Sequence, residues 1–196
     1  MTQAVKRMTR LCVVRTGQTT FEAEKRVEPA AGSPLTGQGL QEVRRAAGQL
    51  ASLNIGAIYA STAEGEAQTA GILARELRVK IRSEVQLREI DFGLWQGLTM
   101  EEIKRRQPKM LRLWNEAPTT VRPPGGETLA EAQDRLKQAV VDVVKRHKTR
   151  SPLVVLGPVA LGLVRCLLEK NPPESIWKQV DPAFVWSSYE MDPKAI

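Results

Sequence analysis

The stretch 11–19, LCVVRTGQT, constrains the fold more than any other part of the chain. Four apolar residues run straight into Arg15, and Gly17 follows two positions later, where it lets the backbone turn sharply. The pattern predicts a buried strand that delivers a cation to the carboxyl edge of a sheet. Ligands of open α/β sheets sit at that edge, and a guanidinium there presents a planar fork matched to phosphate or carboxylate.

Residues 57–60 and 153–156 are further short apolar runs, and these together with 79–81 read as strands. Thr36 is placed to cap a helix with Leu40, Val43, Ala47 and Leu50 on its inner face, and 68–77 reads as a second helix. Thr99 and Glu102 form the spacing of a capping box, with Ile103 inward. The basic stretch 101–112 then reads as a solvated face. A long helix is expected from Thr128 to about His147, with Leu129, Ala132, Leu136, Ala139, Val140 and Val143 inside, and another through 163–168. The turn-rich segment 117–126 has the composition of a lid or substrate loop. The tail 175–191, carrying Trp177, Phe184, Trp186 and Tyr189, reads as an irregular cover ending in an edge strand.

Composition narrows what such a fold can serve. At 196 residues one domain is expected, with 1–8 and 190–196 peripheral. No apolar run approaches a membrane span or a secretory leader, so a cytoplasmic protein without membrane association is expected. Cys12 and Cys166 lack metal-ligand spacing and read as buried thiols; no metal or cofactor is expected. The net charge of +7 is spread over basic residues interleaved with acids, without an aromatic platform, which argues against nucleic acid. Glu64 and Glu66 read as first-turn residues complementing a helix dipole, and His147, the single histidine, as a surface residue at a helix C-terminus.

Several separated blocks resemble the histidine phosphatase (phosphoglycerate mutase-like) superfamily. LCVVRTGQT is similar to its R-H-G-E-T signature, with Thr16 at the position of the histidine that takes up the phosphoryl group. RVEPAAGSPLT resembles the substrate-mouth loop R-x-Q-G-x-x-D-S-P-L-T, with Glu28 and Pro29 in place of Gln and Gly. STAEGEAQTA matches the end of S-P-L-x-R-A-x-Q-T-A but carries Gly65 where the second phosphate-gripping Arg is expected. Residues 87–97 resemble L-x-E-x-x-x-G-x-W-x-G and keep its proton donor as Glu89, while GGET at 125–128 is similar to G-G-E-S. VVLGPV at 154–159 stands where the family has V-V-S-H-G-G, so that Gly157 replaces the second imidazole and Pro158 removes an N–H donor.

The resemblance implies an α/β fold, a three-layer α/β/α sandwich with a mostly parallel central sheet. It also implies a degenerate member, with Thr16, Gly65 and Gly157 at former catalytic positions and Glu89 left as a structural carboxylate. The expectation is therefore a protein that is not an enzyme, a pseudo-phosphatase acting in binding, scaffolding or regulation. A remnant phosphate site would comprise Arg15, Gly17, Thr19, Glu28 and Glu89, with Glu28 opposing the anion. The expected partner is a small anionic ligand or another protein, through homodimerisation or pairing with an active homologue. The alternatives are a phosphatase or mutase using Thr16 as nucleophile with Glu89 as base, and a basic module that contacts protein or nucleic acid.

Overall fold

Strand β1 (Thr9–Arg15) is buried along its whole length except at Arg10, and it lies inside the sheet rather than at its edge. The computed structural model of the chain describes residues 8–147, 149–180, 183 and 185–192. β1 pairs in parallel with β4 (Ser151–Leu156), Arg15 opposite Leu156, and antiparallel with β5 (Trp186–Met191). β2 (Ile55–Ala60) runs parallel to β4 on its other side, and β3 (Lys80–Ser83) closes the order β3-β2-β4-β1-β5. Only β5 opposes the others, so the sheet is mixed and mostly parallel.

Alternation along β1 decides which layer each side chain joins. Cys12 and Val14 face α2 (Gly37–Leu50) and α3 (Glu64–Leu77), in a core with Val43, Leu50 and Leu73. Leu11 and Val13 face α6 (Leu129–Lys145) and α7 (Pro158–Leu168), in a larger core with Leu136, Val140 and Leu163. The three-layer arrangement follows. A one-turn α1 (Thr20–Ala23) lies after β1, and α4 (Met100–Arg106) and α5 (Pro108–Glu116) roof the carboxyl edge of the sheet.

The local signals act where they were read. Thr36 Oγ1 accepts from Gly39 N at 3.0 Å, and Thr99 with Glu102 and Thr128 with Glu131 both form complete capping boxes. Other boundaries move. α3 begins at Glu64 rather than 68 and α7 at Pro158 rather than 163, because each starts directly at the end of a strand. Pro108 divides the stretch 101–112 into two helices, and α5 turns Leu111 and Trp114 into the core. Segment 117–126 is not a lid over the main cavity. It is docked on the 93 turn, where a Cβ on Gly93 (φ +51°) would stand 2.2 Å from Pro124 O.

Glu190 and Met191, expected to be peripheral, pair with Arg10 and Thr9 in β5. Phe184 lies outside the described residues. Cys12 and Cys166 are buried free thiols. His147 is not a surface dipole partner. It packs beside Gly56 at the amino edge of the sheet, its Nε2 is 3.0 Å from Tyr59 Oη, and burial lowers its pKa. Among the described residues no helix is long and apolar enough to cross a membrane.

Candidate active site

β1, β4 and the start of α3 end around one cavity of about 280 Å³ at the carboxyl edge of the sheet. Thr16, Gly17 and Gly157 belong to its floor, Thr19, Glu22 and Glu28 to the loop side, and Trp95, Trp114 and Trp177 to the opposite wall. The strand that carries Arg15 therefore ends where the sequence placed it. Arg15 itself is 2% exposed and is not among the residues lining the cavity. Its Nη1 donates to Thr16 O at 3.0 Å, its Nη2 is paired with the Glu22 carboxylate, and its Nε is buried without a hydrogen-bond partner. The open anion site expected at Arg15 is corrected accordingly: a carboxylate of the same chain occupies part of the fork.

Glu22 reaches that position through α1. Thr19 caps the helix by accepting from Glu22 N at 3.2 Å, which aims the Glu22 side chain back at the end of β1. Thr19 Oγ1 also donates to Glu28 at 2.8 Å, and Ser33 Oγ donates to the other Glu28 oxygen at 2.5 Å. Burial raises the Glu28 pKa while these two hydroxyls oppose the rise. Gly17 N donates to Thr69 Oγ1 at 3.2 Å, tying the turn to α3.

Glu89 is held by backbone alone. Its Oε1 accepts from Ile90 N at 2.7 Å and Ala160 N at 2.8 Å, and its Oε2 from Val159 N at 2.8 Å. Pro158 removes one N–H donor, as its sequence position implied, but the Val159 and Ala160 amides at the start of α7 remain and are spent on this carboxylate. Gly157 matters for room. A Cβ there would sit 2.5 Å from Glu89 Oε2, so the missing side chain is what lets Glu89 lie across the strand end. Burial raises the Glu89 pKa against the three amide donors.

The residue that sequence reasoning missed is Glu66. It was read as a dipole-complementing first-turn residue, yet it is 3% exposed and lines the cavity. Its neighbour Gly65 explains this. A Cβ at 65 would come within 2.9 Å of the Thr19 methyl and 3.1 Å of the Thr16 methyl, so the helix start is pressed onto the β1 turn. Among the described residues no side-chain donor reaches the Glu66 carboxyl, and burial pushes its pKa up to about 7, with Glu89 and Glu28 adding to the rise. Thr16 is less available. Its Oγ1 donates to Leu156 O at 3.1 Å, which ties the hydroxyl to the neighbouring strand. Among the described residues there is no cluster of His, Cys, Asp and Glu arranged to hold a metal ion.

The profile of the histidine phosphatase superfamily, branch 1, matches residues 11–194. The chain belongs to that superfamily. It is 29% identical over 161 residues to phosphoserine phosphatase 1 of Hydrogenobacter thermophilus, covering 82% of this chain and 76% of that protein. It is 31% identical over 155 residues to the probable phosphoglycerate mutase GpmB of an Enterobacter species, covering 79% and 72%. The solved structure of Bacillus stearothermophilus YhfR superposes with a TM-score of 0.84 at 29% identity, over 91% of this chain and 90% of that one. These relatives overturn the expectation that the chain is not an enzyme: across most of its length it is similar to proteins named for catalysis on phosphate esters.

Proposed function

We propose that the chain is a phosphomonoester hydrolase of the histidine phosphatase superfamily that works through carboxyl groups, without a phosphohistidine. The observation that carries this reading is Glu66, a buried carboxyl on the cavity wall with no side-chain donor and a pKa near 7. Such a group holds a proton at neutral pH and can give it up in a transition state. Protonated, it also donates a hydrogen bond to a phosphoryl oxygen instead of repelling it.

Glu66 acts as the acid, passing its proton to the ester oxygen as the P–O bond breaks. Glu89, fixed as an acceptor by three amides, takes the proton of the water that adds to phosphorus. The phosphoryl group competes with Glu22 for Arg15, whose guanidinium then carries the developing charge. Water is the attacking group because the Thr16 hydroxyl is engaged with Leu156 O.

The purified protein, assayed for phosphate release from a panel of monoesters between about pH 4 and 8, is expected to turn over faster on the acid side of neutrality. Glu66→Gln is expected to lower the rate by roughly a hundredfold or more. In ¹⁸O water the released phosphate acquires one label, and acid quenching finds no phosphoprotein. Absence of turnover on every ester, a rate unchanged in Glu66→Gln, or phosphate trapped on Thr16 would each overturn the proposal.

A further inference from the structure

Strand β3 is an open edge of the sheet. In the order β3-β2-β4-β1-β5 it is flanked by β2 alone, and all four of its residues are exposed. Glu84 N donates to Ala60 O at the end of this parallel pairing, so by alternation Lys80 and Arg82 bond to β2, while the N–H and C=O groups of Ile81 and Ser83 point outward. Side chains alternate between the two faces in the same way. The register sets Ile81 beside Ile58, Ile58 beside Leu153 and Leu153 beside Cys12. This apolar row on the α2 and α3 face is fully buried as far as Ile58 and ends in Ile81, which is 46% exposed. On the other face Lys80 stands beside Ala57 and Arg82 beside Tyr59, and neither cation has a hydrogen bond or an ion pair among the described residues. The edge carries free main-chain groups, an unfinished apolar row and two unpaired cations.

We propose that β3 is a docking edge for an extended segment of another protein in which acidic and apolar residues alternate. The segment adds a sixth strand to the sheet. Its main chain bonds to Ile81 and Ser83, its apolar side chains continue the row on the α2 and α3 face, and its carboxylates face Lys80 and Arg82. Cations on a free edge keep like strands from pairing with it, and an acidic strand reverses the sign of that effect. A second copy of the chain is the poorer occupant, because the antiparallel pairing that sets Ile81 on Ile81 also sets Lys80 against Arg82. β3 does not line the cavity, so docking there is independent of the hydrolase reading.

Amide NMR of the intact protein, titrated with an acetylated and amidated hexapeptide of alternating Glu and Val, tests the edge. The Ile81 and Ser83 amides are expected to shift and to gain protection from exchange. A peptide with the same residues in two blocks is expected to bind about tenfold more weakly, and one of alternating Lys and Val more weakly still. Lys80→Glu combined with Arg82→Glu is expected to invert the preference between the Glu–Val and Lys–Val peptides. Ser83→Pro removes one outward N–H without touching the ladder to β2, and it is expected to weaken the Glu–Val peptide about tenfold. No binding of the alternating peptide, equal binding of the block peptide, shifts confined to residues outside 79–85, or an unchanged preference after charge reversal would overturn the proposal. So would tighter binding of a single-stranded oligonucleotide to the same amides. A free protein that sediments as a dimer and becomes a monomer in Ser83→Pro would give the edge to a second copy and overturn it as well.

Discussion

Two strands end side by side beneath the cavity, and each strand end meets a buried charge in a different way. At the end of β1 the Arg15 cation is met by a side chain, Glu22. Beside the end of β4 the Glu89 carboxylate is met by backbone, three amides of which two open α7. A side-chain partner can swing away when a ligand offers something better, whereas amides at a helix start cannot. The first end is therefore exchangeable and the second fixed. Between them Glu66 has only its own amide to oppose burial, and it answers by holding on to its proton.

The comparison breaks most directly at Glu22. Glu22→Ala leaves the guanidinium of Arg15 buried without its counter-charge, at an expected cost of about 3 kcal/mol, near the low end for such pairs because the Glu22 side chain is 31% exposed. Because that end is exchangeable, millimolar phosphate or sulfate should restore much of the lost thermal stability, by mass action on the folded state. A variant that loses stability and gains nothing from either anion would show that Arg15 is not reachable from the cavity.

Glu66 sharpens the contrast through pH. An acid whose pKa is raised to about 7 on folding, from an ordinary 4.5, binds its proton more tightly in the folded state. Stability therefore falls as pH climbs through that window and levels off above it. Glu28 and Glu89 face the same carboxyl and steepen the fall. In denaturant titrations Glu66→Gln should lose about 3 kcal/mol less than the wild type between the two limits of this window. Parallel pH profiles for the two proteins would refute the assignment.

The smallest expected effect tests the fixed end. Gly157→Ala adds a Cβ against Glu89 Oε2, and the amides leave the carboxylate no alternative seat. A loss of about 2 kcal/mol of unfolding free energy, measured by denaturant titration, is expected, together with reduced turnover. If the variant is as stable as the wild type, Glu89 can move, and the distinction between the two ends disappears.

Much of the framework was legible because its causes are local. Thr36, Thr99 and Thr128 announce helix starts through contacts only three residues away, and the apolar runs of β1 and β4 have the composition of strands buried on both faces. Glu22 drew no reading from the sequence, although its spacing from Thr19 is that of a helix start, the one signal that points to α1. Glu66 could not be found this way. Two residues into a helix, a glutamate bound for solvent and one bound for a cavity look alike, and only the packing of Gly65 on Thr16 and Thr19 separates them.

The sequence by itself determined the strand that ends in Arg15, the helices that flank it and the superfamily whose blocks it repeats, because strand period, capping and turn chemistry act over a few residues. Tertiary structure alone decided which charges are free. Arg15 meets Glu22, Glu89 meets the start of α7, and three tryptophans from separate segments pack together on one wall of the cavity. Burial and partner choice are properties of groups distant along the chain, and they exist only once the layers have closed.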